Sequence, residues 1–270
     1  MPSRRPSSGR PPRPAATASR RARRSASPTT DRTASTCHGS HLPRQDEHVE
    51  TRALFAATAQ SFVDLVTALP SPVADPALWS SPALGVWDLR ALVGHTNRAL
   101  VTVSTYAATT IEHGADPSTS TSGTVLDDAA EYLQAATRTA TDPDEVAARG
   151  VAAGAALGTD PEAAVTAARD QALVVLAAVP SGTRISVVGG LLLPVEEYLR
   201  TRIVELVVHG GDVARAATAA GAPVSASPPV EAVVAATLLL AEAGARRGDG
   251  ALLLAALTGR GPLPAGYSVL

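Results

Sequence analysis

Apolar residues return at spacings of three and four along most of this chain, the period of an amphipathic helix. Leu54, Thr58, Phe62, Leu65, Val66 and Leu69 predict a first helix that starts near residue 47 and ends before Pro70. A Pro/Ser-rich loop carrying Trp79 and Trp87 follows. Asp88 is placed to cap a second helix, whose stripe is Leu89, Leu92, Ala99, Leu100 and Val103, running to about Thr110. Residues 114–124 read as a loop. Residues 125–158 are alanine-rich and weakly patterned, and they predict short helices or an inserted hairpin with Pro143 as a breaker. Asp160-Pro161 opens a third strong helix, a cap followed by a first-turn proline, with Val165, Ala168, Ala172, Val175, Leu176 and Val179 facing inward. Arg184 to Val188 reads as extended, and Gly189-Gly190 as a turn. The fourth helix enters at Pro194, with Glu196 and Glu197 near its positive end, and buries Leu199, Ile203, Leu206, Val207 and Val213. A fifth helix is expected from about Val230 to Ala245, then a short apolar piece, Ala251 to Leu257.

Four principal amphipathic helices with long crossovers and no repeated strand pattern predict an all-α fold. The expected organisation is a helix bundle over residues 46–221 with residues 222–270 as a helical extension packed on it. The first 45 residues differ in kind. They hold ten arginines and one acid, with almost nothing to bury, and are expected to be a disordered tail. No apolar run follows Arg20-Arg21 or Arg23-Arg24, so no export signal is expected, and a cytoplasmic location is. From residue 46 onward, thirteen arginines face twenty-four acids, a balance that argues against a nucleic-acid partner. The longest apolar stretch, Ala232 to Ala241, falls short of the roughly 20 residues a membrane helix needs. A single cysteine, Cys37, excludes an intrachain disulfide and a zinc site built from cysteine alone.

The candidate chemistry lies in the second and fourth helices. Glu205 and His209 are four residues apart, so they share one helix face at the edge of the apolar stripe. His95 follows Leu92 by three and shares the inner side of its own helix. Two imidazoles and a carboxylate suit zinc or another first-row divalent metal, and three protein ligands leave coordination positions for a substrate. Other pairings are open to the same residues: Glu205 with Arg202 or Arg98, and Asp212 either orienting the His209 ring or standing as a solvated charge before Arg215.

The run from Trp87 to His95, WDLRALVGH, resembles the Trp-Thr-Val-x-Asp-Leu-Val-x-His segment of the mycothiol-dependent maleylpyruvate isomerase family, within the DinB-like group of metal-binding four-helix bundles. The run from Glu197 to Asp212, EYLRTRIVELVVHGGD, is similar to that family's Tyr-Leu-x-x-Arg-x-x-Glu-x-x-x-His-Gly-x-Asp helix. The resemblance implies that His95, Glu205 and His209 bind a divalent metal, zinc first, and that mycothiol serves as thiol co-substrate. It further implies a metal-activated thiolate used for cis–trans isomerisation or thiol transfer on an electrophilic or unsaturated acid. Arg98, Arg200 and Arg202 are the candidates for substrate carboxylates. The chain departs from the pattern at Asp88, at Ala91 and at Gly211, where the family carries Trp, and residues 221–270 are shorter than the C-terminal domain of the founding isomerase. A non-catalytic metal-binding bundle that acts as a binding or regulatory module is the alternative reading.

Overall fold

A computed structural model describes residues 45–113, 123–139 and 142–269. The helices, in chain order, are α1 (Gln45–Thr67), α2 (Pro76–Trp79), α3 (Leu89–His113), α4 (Ala129–Thr139), α5 (Pro143–Ala156), α6 (Pro161–Ala178), α7 (Val195–Ala219), α8 (Val230–Gly244) and α9 (Gly250–Leu257). Two small antiparallel ladders join them: β1 (Pro82–Leu84) with β2 (Trp87–Asp88), and β3 (Arg184–Val187) with β4 (Leu191–Pro194). The expected N-terminal tail falls on residues outside those described, apart from Gln45. Among the described residues, no helix is long and apolar enough to cross a membrane.

The long helices α1, α3, α6 and α7 form the all-α bundle, each packed against two of the others. Their senses follow from side-chain contacts. Arg52 meets Glu196 and Gly210 lies over Leu65, so α1 and α7 run parallel. Arg169 bonds Gln60 while Arg52 reaches the end of α6, so α6 opposes α1. Tyr198 meets Thr102 and His209 meets His95, so α3 opposes α7. Two helices therefore point one way and two the other, and long crossovers return the chain between them. The core holds Phe55, Leu89, Leu92, Leu100, Leu199 and Ile203, all buried. All but Phe55 belong to the apolar stripes read from the sequence; on α1 Phe55 is buried and Leu54, read as part of the stripe, is only partly so.

A buried ionic clamp fixes one end. Glu196 is 3% exposed and accepts from Arg52 Nε at 3.0 Å and from the Gly182 backbone N–H at 3.0 Å. Arg52 Nη2 also lies 2.8 Å from the same carboxylate, off the line of its N–H. Nη1 of Arg52 donates to the carbonyls of Leu176 and Val179, both at 2.9 Å, which answers acceptors the end of α6 leaves open. Glu196 thus joins three elements, where the sequence suggests only a favourable charge near a helix start.

In the crossover from α3 to α6, the structure selects short helices from the two readings of residues 125–158. Among the described residues the crossover contains α4 and α5 and no hairpin, and Pro143, expected as a breaker, is the first residue of α5, after Asp142 accepts from the Asp144 N–H at 2.9 Å. Proline without an N–H costs nothing at that position. Helix α5 lies so close to α3 that a Cβ on Gly94 would sit 2.2 Å from the backbone nitrogen of Gly154. A Cβ on Gly150 would sit 2.3 Å from the Trp87 ring. Glycine at these positions lets the backbones touch. Helix α8 packs on α7 and α4, and α9 on α8.

Candidate metal centre

Helices α3 and α7 each offer the other one polar stripe. On α3, His95, Arg98, Thr102 and Tyr106 recur at spacings of three and four; on α7, Tyr198, Arg202, Glu205, His209 and Asp212 do the same. The antiparallel seam sets Tyr198 against Thr102 at one end, with the phenol donating at 2.8 Å, and His95 against Glu205 and His209 at the other. The local start of α3 is a cap: the Ala91 N–H donates to Asp88 Oδ1 at 2.8 Å, which sets the phase that turns His95 inward.

Glu205 Oε2 lies 3.3 Å from His209 Nε2 and 3.9 Å from His95 Nε2. One donor atom from each of the three residues lies within 4.8 Å of the others. A cation with bonds of about 2.0–2.2 Å needs tetrahedral donors roughly 3.3 Å apart. The His209–Glu205 edge already has that length, and His95 needs to close by at most roughly 1.5 Å, within reach of side-chain rotation. Two imidazoles and one carboxylate thus fit a first-row divalent ion in number, type and spacing. The side chains are 20–26% exposed, so one side of the cluster opens toward solvent.

The charge states suit ligation. Burial, joined by His209 and opposed by Glu205, lowers the His95 pKa to about 4, so its ring is neutral at pH 7. Burial raises Glu205, but the His209 hydrogen bond, Arg202 and both histidine charges outweigh it and bring its pKa down to about 2. Burial lowers His209, yet Glu205 and Asp212 outweigh it and the net shift is upward. A metal there would compete with the proton that Glu205 and Asp212 favour on His209.

The surrounding residues hold the cluster in place. Asp212 Oδ2 lies 3.0 Å from His209 Nδ1, the contact that keeps Nδ1 as the donor and turns Nε2 toward Glu205. Its other oxygen accepts from Arg215, so Asp212 both orients the ring and pairs with its neighbour. Trp87 lies beside His95, with ring centroids 4.4 Å apart and planes at 34°. Its indole N–H donates to the Ala147 carbonyl at 3.0 Å, so α5 fixes the ring that flanks His95.

The three candidate arginines separate. Arg202 is in the seam, with Nη2 3.9 Å from Glu205 Oε1. Arg98 lies on the His95 stripe and acts on that ring electrostatically; among the described residues it forms no ion pair with Glu205. Arg200 points elsewhere, donating to Glu197 at 2.7 Å with Glu242 of α8 at 4.0 Å. Sequence reasoning missed the tyrosines. Tyr106 and Tyr132 stand edge-on to Tyr198 at 5.7 and 5.9 Å, beside Arg202. The four-residue spacing of Tyr198 and Arg202 was a readable signal, whereas Tyr132 sits on weakly patterned α4 and gave none.

Fold and site together define a four-helix bundle with a two-histidine, one-carboxylate cluster in an interhelical seam. The chain belongs to the family described as the mycothiol maleylpyruvate isomerase N-terminal domain, whose model matches residues 55–214. That span contains all three clustered side chains. No curated protein and no solved structure matches the chain.

Proposed function

We propose that this chain is a metal-dependent and thiol-dependent enzyme of the maleylpyruvate isomerase type, with mycothiol as co-substrate. The observation that supports it is the convergence of His95, Glu205 and His209, from stretches more than a hundred residues apart, on one partly open point of the seam. His95, Glu205 and His209 are the ligands, and zinc is the metal the donor set suits best. A divalent cation bound there supplies a Lewis acid that lowers the pKa of a thiol, so that the nucleophilic thiolate is populated at neutral pH.

The chain's own residues bind, orient and shield. Asp212 holds the His209 tautomer, and Trp87 covers one face of His95. The co-substrate brings the sulfur, so no protein cysteine is required. The sulfur adds to a carbon–carbon double bond conjugated with a carbonyl. An S–C bond forms as the π electrons move onto the carbonyl oxygen as an enolate. The former double bond then rotates as a single bond. Return of the electrons re-forms the alkene in the trans geometry and expels the sulfur, so the thiol is regenerated and no atom is gained or lost. An electrophile with a leaving group would give thiol transfer at the same place.

The test is metal content first. The full chain should carry close to one equivalent of zinc, and His95→Ala and Glu205→Ala should lose it. Equal metal in all three proteins would sink the ligand assignment. Isomerisation of a maleyl-type keto acid, followed with and without mycothiol, should then require both the thiol and the metal.

A further inference from the structure

Arg202 is a half-buried cation whose terminal nitrogens find no hydrogen-bond acceptor among the described residues and still reach solvent. Its side chain is 12% exposed, and its guanidinium carbon lies 4.7 Å over the Tyr198 ring, a cation–π platform that fixes its plane. Among the described residues, its one hydrogen bond runs from Nε to Thr201 Oγ1 at 3.1 Å. The Nη2–Glu205 separation of 3.9 Å is too long for a second. A guanidinium offers five N–H donors in a planar fork and, out of bulk water, ordinarily meets a carboxylate through two of them. Here both terminal nitrogens lack an acceptor among the described residues.

The neighbours repeat the pattern. The hydroxyl of Tyr198 is occupied by Thr102. Tyr106 and Tyr132 flank Tyr198 edge-on and interact electrostatically with Arg202, and no described residue hydrogen-bonds their hydroxyls. Two phenol donors and one guanidinium fork thus gather at one place with no carboxylate closer than Glu205. The charge count has the same sense. Arg98, Arg202 and Arg215 against Glu205 and Asp212 leave an excess of one positive charge along the seam before any metal is counted, which favours an anionic ligand. Arg200, already paired with Glu197, takes no part.

We propose that Arg202, with the hydroxyls of Tyr106 and Tyr132, is the carboxylate-recognition site of this chain, reading a small unsaturated acid one helical turn from the metal ligands. This deepens the proposed function and rests on its reading of the seam as a substrate site. The guanidinium takes a carboxylate in a bidentate grip, and the phenols donate to its remaining lone pairs. Tyr132 comes from the α3–α6 crossover, so that segment shapes specificity without holding the metal.

Maleate is the probe, titrated calorimetrically into the full chain as zinc-loaded protein and again after treatment with EDTA. Dimethyl maleate, of similar shape without the charge, is the control. Arg202→Gln should weaken maleate binding roughly 10–100-fold, the worth of hydrogen bonds to a charged group. Tyr132→Phe should weaken it a few-fold, and Arg202→Lys, which keeps the charge and loses the fork, should fall between. Zinc content and far-ultraviolet dichroism should match wild type in all three, and dimethyl maleate should not bind. Arg202→Lys and Tyr132→Phe carry the test if Arg202→Gln fails to fold. Maleate bound equally by wild type and folded variants overturns the proposal, as does equal binding of the diester. Binding that vanishes with EDTA and ignores Arg202 overturns it too. A chain that binds maleate through Arg202 but never takes up zinc defeats the metal reading and leaves this one standing.

Discussion

Gly94→Ala and Gly210→Ala make the same chemical change inside two bundle helices, and the structure requires opposite results. At Gly94 the new methyl would lie 2.2 Å from Gly154 N, 2.4 Å from Ala153 C and 2.5 Å from Gly154 Cα. All three are backbone atoms, so no rotamer change relieves the clash. Helix α5 must retreat by roughly 1 Å or more to restore ordinary contact, and the dispersion contacts along the α3–α5 seam fall off steeply over that distance. Overpacking typically costs about 1–3 kcal/mol, and a backbone obstacle belongs at the upper end. Alanine returns up to about 1 kcal/mol of helix propensity, so a net loss of about 2 kcal/mol is expected. At Gly210 the nearest atom to a Cβ is Leu65 Cδ2 at 3.9 Å, an ordinary contact, so the propensity gain of up to about 1 kcal/mol stands alone. Urea unfolding followed by dichroism reads both. For a domain of this size each kcal/mol moves Tm by about 2–4 °C, so melts should shift down by about 4–8 °C for Gly94→Ala and slightly up for Gly210→Ala. Movement of α5 also drags the Ala147 carbonyl from the Trp87 indole, so the Trp87 emission should change only in Gly94→Ala. A Gly94→Ala protein as stable as wild type, with unchanged emission, would refute the close α3–α5 approach.

Three more outcomes follow from contacts already described. Arg52→Met leaves the Glu196 carboxylate buried without its arginine and takes a donor from the Leu176 and Val179 carbonyls, which should cost about 3–5 kcal/mol in urea unfolding; a loss under about 1 kcal/mol would contradict the clamp. Asp212→Ala should weaken zinc binding roughly 10–100-fold in a chelator competition, and an unchanged constant would rule out its role in orienting His209. In metal-free protein, the His95 pKa of about 4 lies below its value of 6.5 in the unfolded chain, so as pH falls through this interval the unfolded state takes up a proton first and stability drops by up to roughly 3 kcal/mol. His209, raised, has the opposite sign: its contribution is complete below the unfolded pKa and fades as pH rises through the folded one. Urea midpoints between pH 7 and 4 should therefore decline less in His95→Gln than in wild type, and parallel curves would exclude the His95 assignment.

Much of the bundle was legible because its long helices bury one stripe each, and spacing alone reveals such a stripe. Asp88 and Asp160 were readable as caps for the same reason: a short acceptor before an apolar period has one simple use. The clustered trio was legible in part. Glu205 and His209 are joined by helix geometry, whereas no periodicity brings His95 from another helix to meet them. The α3–α6 crossover was legible only as short helices or a hairpin, and its packing was not. Helix α5 is held by glycines and alanines, which carry little hydrophobic signal, and its packing depends on the absence of side chains at Gly94, Gly150 and Gly154. Arg52 and Glu196 likewise look like ordinary surface charges, because their partnership spans 144 positions and includes backbone groups whose availability only the folded chain decides.

The crossover divides labour within the molecule. Helices α3 and α7 carry the histidines and the carboxylate, while the segment between α3 and α6 supplies Tyr132 and the support behind Trp87. In the proposed reading the acid site is shared, with Arg202 on α7 and Tyr106 on α3 beside the clustered ligands and only Tyr132 supplied by the crossover. A chimaera that exchanges only the α4 stretch should leave zinc uptake unchanged and alter maleate affinity through Tyr132 alone, so acid preference can be varied by grafting one cassette while the clustered side chains stay untouched.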